Sequence, residues 1–364
     1  MELINATKFV AGYTLGLDPD GRERVVVVVK GTYHLPLTGE PPERASTQAP
    51  LVMADEFTGE PGLSATLCEA DFAPFKPRCD VLVNGSAYAP GGRPAAQVEV
   101  GLSVGRVDKS FTVVGPRRWE RALLAMRPSA PERFTSLPVS YDAAYGGRDV
   151  SDKKPDEPKF YVHNPAGVGY YPLCSRYDLE GKPLPCTAET GKPVATRMGK
   201  YRPMALGAIG RNFASRHPLA GTYDQDWLDN VFPFLPADFN PRYHQAAPRD
   251  QQLPWPRGGE KVTLLNLTPR GKLRFALPTE SVPVEFTDAD YRRTEQQAVL
   301  DTILIEPDHE RLLLAWRTSL PLRRNIFEMK QCVIGRMPRG WYRARELGKT
   351  YYRSLAHLRP ADAD

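Results

Sequence analysis

Proline recurs from one end of this chain to the other, 36 times in 364 residues, most often singly between short apolar runs. Inside a helix, proline removes a backbone hydrogen bond and clashes with the preceding turn. A chain punctuated in this way cannot build long helices. It can build many short extended elements joined by stiff turns. The hydrophobic share of 41% is ample for a buried core around such elements.

Strand signals fill the places where helices are excluded. "KFVAGYTLGL" and "RVVVVVKGTYHL" flank the turn "DPDG", in which Gly21 is free to take a positive φ, so 1–38 reads as a β-hairpin. Five consecutive valines, Val25 to Val29, favour a strand over a helix, and a continuous apolar run predicts a strand covered on both faces. In "QVEVGLSVG" the residues Val98, Val100, Leu102 and Val104 alternate strictly, the period of a half-buried strand. With "RVDKSFTVVGPRRW" it predicts an antiparallel hairpin over 97–115. "EKVTLLNLTP" and "RGKLRFALP" predict a second hairpin, and "AVLDTILIEPDHERLLLAWRTSLPL" a third that turns at "EPDHE". Residues 39–78 read as proline-rich and irregular, and 138–222 as a Gly, Pro and Tyr-rich region without hydrophobic period. A long irregular region inside a domain is usually functional or a packed surface layer.

The expected architecture is mainly β, with antiparallel sheets in a sandwich-like arrangement and an irregular Pro/Gly-rich central layer. One β-rich domain is expected over 1–322, with sheet-forming halves near 1–135 and 255–322 and the irregular layer over 136–254. "RRNIFEMKQCVIGRM" and "WYRARELGKTYYRSLAHL" carry helical spacing, so 323–364 reads as a short basic helical tail. Arg317, Arg323, Arg324, Arg336, Arg339, Arg343, Arg345 and Arg353, with Trp341, Tyr342, Tyr351 and Tyr352, give that end an interface-like composition.

The residue types that carry chemistry are densest in "AGTYDQDWLDNVFPFLPADFNPRYHQAAPRDQQ", residues 220–252. A metal site would draw on His217, Asp224, Asp226, Asp238 and His244, but no HxH, HExxH or HxD pair occurs among them. Ser215 and His217 sit on no GxSxG elbow, and "GGRPAA" and "GVGYY" match neither phosphate-loop pattern. Asp224 and Asp226, beside Trp227 and Tyr223, offer a carbohydrate-active hydrolase or sugar-binding module as the alternative function. The preferred reading is structural. Tyr223, Trp227, Phe232, Phe234 and Phe239 form a hydrophobic plug against the sheets, while Asp224 and Asp238 bind backbone N–H groups in turns. A short helix capped by Thr222 or Asp224 is expected within 222–231. Tyr223, Asp224, Trp227, Phe239, Tyr243, His244 and Asp250 are the candidate clasp or partner surface, and no residue is assigned to catalysis, a cofactor or a metal.

A net charge of +5 with dispersed basic residues argues against a nucleic-acid partner. No apolar run reaches the ~20 residues of a membrane span. The opening "MELINATKFVAGYTLGLDPDG" lacks the pattern of a secretory leader, and five cysteines without CxxC spacing read as reduced thiols, so a cytoplasmic protein is expected.

The ordered series "DVLVNGSAYAPGGRP", "YDAAYGG", "NPAGVGYY", the 220–251 stretch, "RGGEKVTLLNLTPRGKLRFALP" and "LDTILIEPDHERLLLAWRTSLPL" resembles the bacterial DUF2169 family over roughly 1–322. The resemblance implies an accessory role in type VI secretion. It points to a cytoplasmic adaptor or chaperone that binds an effector, a PAAR-type spike-tip protein or both, and promotes loading onto the VgrG spike. It carries no catalytic or binding residues onto this chain.

Overall fold

A computed structural model describes residues 1–18, 20–123, 125–150 and 158–352. The five valines lie in the twelve-residue strand Glu23–His34, and all five are fully buried. Val25, Val27 and Val29 point into the main core. The opposite face lies under the irregular segment after residue 39, whose Leu51, Phe72 and Pro74 press on Gly12 and Gly16 of the neighbouring strand. A strand with both faces covered can be apolar at every position, which is why the run does not alternate.

That strand is part of a six-stranded sheet. Its order is Gln252–Leu253, Cys79–Val83, Val299–Glu306, Arg311–Pro321, Glu23–His34 and Val10–Leu17. All neighbours are antiparallel except Cys79–Val83 against Val299–Glu306. A five-stranded antiparallel sheet runs Thr187–Ala188, Val107–Val114, Gln97–Val104, Lys261–Leu265 and Lys272–Ala276. Its 97–104 strand alternates as expected, with Val98, Val100, Leu102 and Val104 buried. All three expected later hairpins form, as does the one at 10–34, where Gly21 adopts φ +78°. Both sheets send side chains into one core, so the fold is mainly β and sandwich-like.

A third sheet, Glu2–Asn5, Met329–Ile334, Pro283–Asp288 and Arg293–Gln297, adds Val284, Phe286, Cys332 and Ile334 to the same core. It departs from the sequence reading. "NIFEMKQCVIG" has helical spacing, yet a capping box on Asn325 and Glu328 closes a single 3-10 turn at Ile326–Glu328, and the chain then enters the central strand Met329–Ile334. The alternating partners offered by two flanking strands outweigh a weak local helix preference. Helix follows later, at Arg339–Glu346, where Trp341 is buried. The tail residues 353–364, including Arg353, lie outside the described residues. Arg317 belongs to the core, held by Asp301 at 2.5 Å rather than offered to a partner. The two sheet-forming stretches do not stand apart either, since strands from before residue 115 and after residue 260 pair within each large sheet.

The irregular central layer covers the outer face of the six-stranded sheet. Ala208, Ala246 and Ala247 pack on Leu82, Leu304 and Leu313. Buried charge fastens the layer in place. Asp80, fully buried on the sheet, accepts from Lys76 Nζ at 2.9 Å, Gln245 Nε2 at 2.5 Å and the amides of Ala246 and Ala247 at 2.9 and 3.2 Å. A carboxylate without water needs its lone pairs met by fixed donors, and here the layer supplies three of the four.

Candidate functional site

The 220–252 segment divides into three parts with different surroundings. The first is a projecting loop, 221–239, of the compact, self-packed kind whose ends lie close together. Its neck is closed by Thr222, whose amide and hydroxyl donate to Asp238 at 2.9 and 2.8 Å, and by the Asn240 amide on the Leu219 carbonyl at 2.9 Å. Those two bonds from Thr222 hold the Asp238 carboxyl below its ordinary range. Gly221 sits at the crossing with φ +86°, and a Cβ there would meet Asp238 and Pro236.

Inside the loop, Asp224 accepts from the Trp227 amide at 2.9 Å and starts the short helix Gln225–Asn230. The helix and its cap, and the turn roles of Asp224 and Asp238, are as the sequence predicts. Trp227 donates its indole N–H to the Phe234 carbonyl at 3.0 Å, with Tyr223 and Phe232 edge-on at 4.7 and 5.6 Å. The aromatics nonetheless do not plug the sheets. Tyr223, Leu228, Phe232 and Phe234 are 53, 53, 62 and 44% exposed, and Trp227 is half-buried. The outer face of the six-stranded sheet is filled by Ala208, Ala246 and Ala247, and the rings pack on one another at the surface. Phe234 reaches the body of the protein at the hairpin turn, over Gly21.

The second part is a joint below the loop. Phe239, Tyr243 and His244 form a mutual ring cluster, with centroids 5.5 to 6.1 Å apart. The guanidinium groups of Arg211 and Arg216 each lie 5.6 Å from the Tyr243 ring. Arg216 is buried, donates to the Tyr243 and Ile209 carbonyls at 2.8 Å, and is gripped by both oxygens of Glu69 at 2.5 and 2.7 Å. Burial, followed by the positive fields of Arg211, Lys76, Arg216 and Arg317, pushes the His244 imidazole down to about 3, so it stands neutral among cations.

The third part, with Asp250, forms one wall of a 980 Å³ cleft. Asp250 meets Lys109 Nζ at 3.3 Å and Arg202 at 4.0 Å, and Arg202 continues to Glu189 at 3.6 Å. Lys109 also donates to Gln251 at 2.7 Å, and burial lowers its ammonium below the ordinary lysine range. Tyr141 packs edge-on against Phe213 at 5.3 Å, and the Tyr161 hydroxyl donates to the Tyr201 carbonyl at 2.9 Å. The structure thus gathers Tyr223, Asp224 and Trp227 on the loop and Phe239, Tyr243 and His244 at the joint, and places Asp250 in the cleft. No motif in the sequence marks Lys109, Tyr161, Tyr201, Arg202 or Arg216. They come from separate stretches around 109, 161 and 201–216, and four of them sit where hydrophobic period is absent.

The other sequence candidates disperse. Asp226 accepts from Asn230 at 2.7 Å on the solvent side of the short helix, and neither it nor Asp224 lines this cleft. Among the described residues, no three His, Cys, Asp or Glu side chains are placed to hold a metal ion. The five cysteines are free thiols, and burial lifts Cys332 to about 12. No helix among the described residues is long and apolar enough to cross a membrane.

A family model described as an uncharacterized protein conserved in bacteria, DUF2169, matches residues 20–317, most of the chain, leaving out the strands Glu2–Asn5, Val10–Leu17 and Met329–Ile334. The chain belongs to the DUF2169 family. The match takes in the loop, the joint and the cleft of this DUF2169 protein, and ends inside the strand Arg311–Pro321. No curated protein and no solved structure matches the chain.

Proposed function

We propose that this DUF2169 protein is a cytoplasmic adaptor of the type VI secretion system that holds an effector, its PAAR-type tip protein or both for loading onto the VgrG spike. The observation that carries the reading is the aromatic loop. Four large apolar side chains stand in solvent on one short loop, and the loop is closed at its neck and braced by an indole hydrogen bond. Exposed apolar surface of this kind costs solubility and marks protein contacts. Aromatic anchors with few rotamers lose little entropy on docking, and Tyr and Trp dominate interface energetics. The β scaffold behind them, with its buried charge, keeps the loop in place.

The carbohydrate alternative draws less support. Asp224 caps a helix, Asp226 bonds Asn230, and neither carboxylate nor the Tyr223 and Trp227 rings line the large cleft.

The test is co-expression of the tagged protein with the effector and tip proteins of its own cell, followed by affinity capture. The expected result is co-purification that is lost in the combined Tyr223→Ser, Phe232→Ser variant while the adaptor stays folded. Undiminished capture by that variant, or unchanged effector export in a deletion strain, removes the proposal.

A further inference from the structure

We infer that the cleft beside the loop is a receptor for an acidic stretch of extended polypeptide. The inference stands apart from the adaptor reading, because it concerns a different surface and a different ligand chemistry.

Charge is the first argument. Five exposed cations, Lys192, Lys200, Arg202, Arg242 and Arg249, line the cleft, while the buried Lys109 and Arg216 are already paired, with Asp250 and Glu69. The carboxylates among the lining residues are Glu189 and Asp250. Glu189 is engaged by Lys192 at 3.4 Å and Arg202 at 3.6 Å, and Asp250 by Lys109 and Arg202. Among the described residues, Lys200, Arg242 and Arg249 make no ion pair. Uncompensated charge of one sign in a concave site focuses the potential and draws the opposite sign. Arginine forks also match carboxylates in geometry.

The walls narrow the class further. Tyr141, Tyr161, Phe213, Ile209 and Leu219 give the cleft apolar and aromatic surface between its cations. An occupant must therefore carry carboxylates and apolar groups together. A 980 Å³ space is at the upper end for small-molecule sites, and its exposed cations come from two separated stretches, 192–202 and 242–249. They suit charges strung along a chain better than a single point anion. Glu189 and Asp250 interrupt the cations, which suits carboxylates spaced by neutral residues, and their oxygens can accept from peptide N–H groups, donors that a phosphodiester backbone lacks.

The experiment is fluorescence anisotropy on the full chain with a labelled ten-residue peptide of alternating glutamate and leucine. A lysine–leucine decamer, a single-stranded thymidine decamer and inorganic phosphate serve as comparison probes. The expected result is saturable binding of the acidic peptide that weakens as salt rises. The combined Lys200→Glu, Arg242→Glu, Arg249→Glu variant, altered only at exposed positions, should weaken it by about tenfold or more with an unchanged Tm. Glu189→Gln, which removes a competing carboxylate, should tighten it. The inference is overturned by equal binding of the lysine peptide, by tighter binding of the oligonucleotide, by displacement with phosphate alone, or by full affinity in the triple variant. Absence of acidic-peptide binding overturns it equally.

Discussion

The two ends of the 220–252 segment differ in composition and in fate, the first rich in aromatics and the second in small and amide side chains. Residues 222–234 project, and their rings touch one another and water, with Phe234 alone resting on the hairpin turn at Gly21. Residues 245–251 are riveted to the six-stranded sheet, where Gln245 and the amides of Ala246 and Ala247 satisfy Asp80, and Gln251 donates to the Val81 and Leu206 carbonyls at 2.8 Å. The difference lies in what each end meets. A buried carboxylate on a strand demands partners and orders the chain that provides them. A self-closed loop demands nothing from the sheet, so its apolar side chains remain available.

Removing the rivet should have the largest effect. Asp80→Ala leaves Lys76 charged and buried without its partner, and urea unfolding should show a loss of about 3–5 kcal/mol. If the loss is under 1 kcal/mol, the layer is held by its alanine contacts rather than by charge.

The joint between the two ends should respond to pH. His244 has a folded pKa of about 3, below its ordinary 6.5, so between those values the unfolded chain binds the extra proton. Stability from this group is therefore complete above pH 6.5 and is lost as pH falls toward 3. Over that interval it contributes a slope of about 1.4 kcal/mol per pH unit. His244→Gln should flatten the Tm profile between pH 6.5 and 4. An unchanged profile would place the acid sensitivity elsewhere.

Smaller effects belong to the loop. Asp224→Ala removes a helix cap and should cost about 1 kcal/mol, confined to the loop. Hydrogen exchange should quicken at the Trp227 amide while the strand Glu23–His34 stays protected. If protection falls across the sheets as well, loop and scaffold unfold together. Phe232→Ser, at a solvent-facing ring, should move global stability by no more than about 0.5 kcal/mol. A larger loss would return the ring to the core role first expected of it.

Much of the scaffold was legible in the sequence. The valine run, the alternation of Val98, Val100, Leu102 and Val104, and turn residues such as Gly21 and the "EPDHE" stretch each carry their structure locally, through sterics and period. The Asp224 cap was legible for the same reason, since cap and helix lie within three residues of one another. The strand Met329–Ile334 was not, because its preference is set by the strands Glu2–Asn5 and Pro283–Asp288 on either side. Nor was the cleft, where Lys109 meets Asp250 across 141 residues of chain and Arg216 meets Glu69 across 147.

The sequence by itself determined the β class, the hairpins, the turns and the cap, because those depend on residues a few positions apart. The tertiary structure alone decided which aromatics face water and which charges are buried. Both follow from what fills the outer face of the six-stranded sheet, and that space is claimed by segments distant in the chain. Ala246 and Ala247 occupy that sheet face, and Phe232 stays outside.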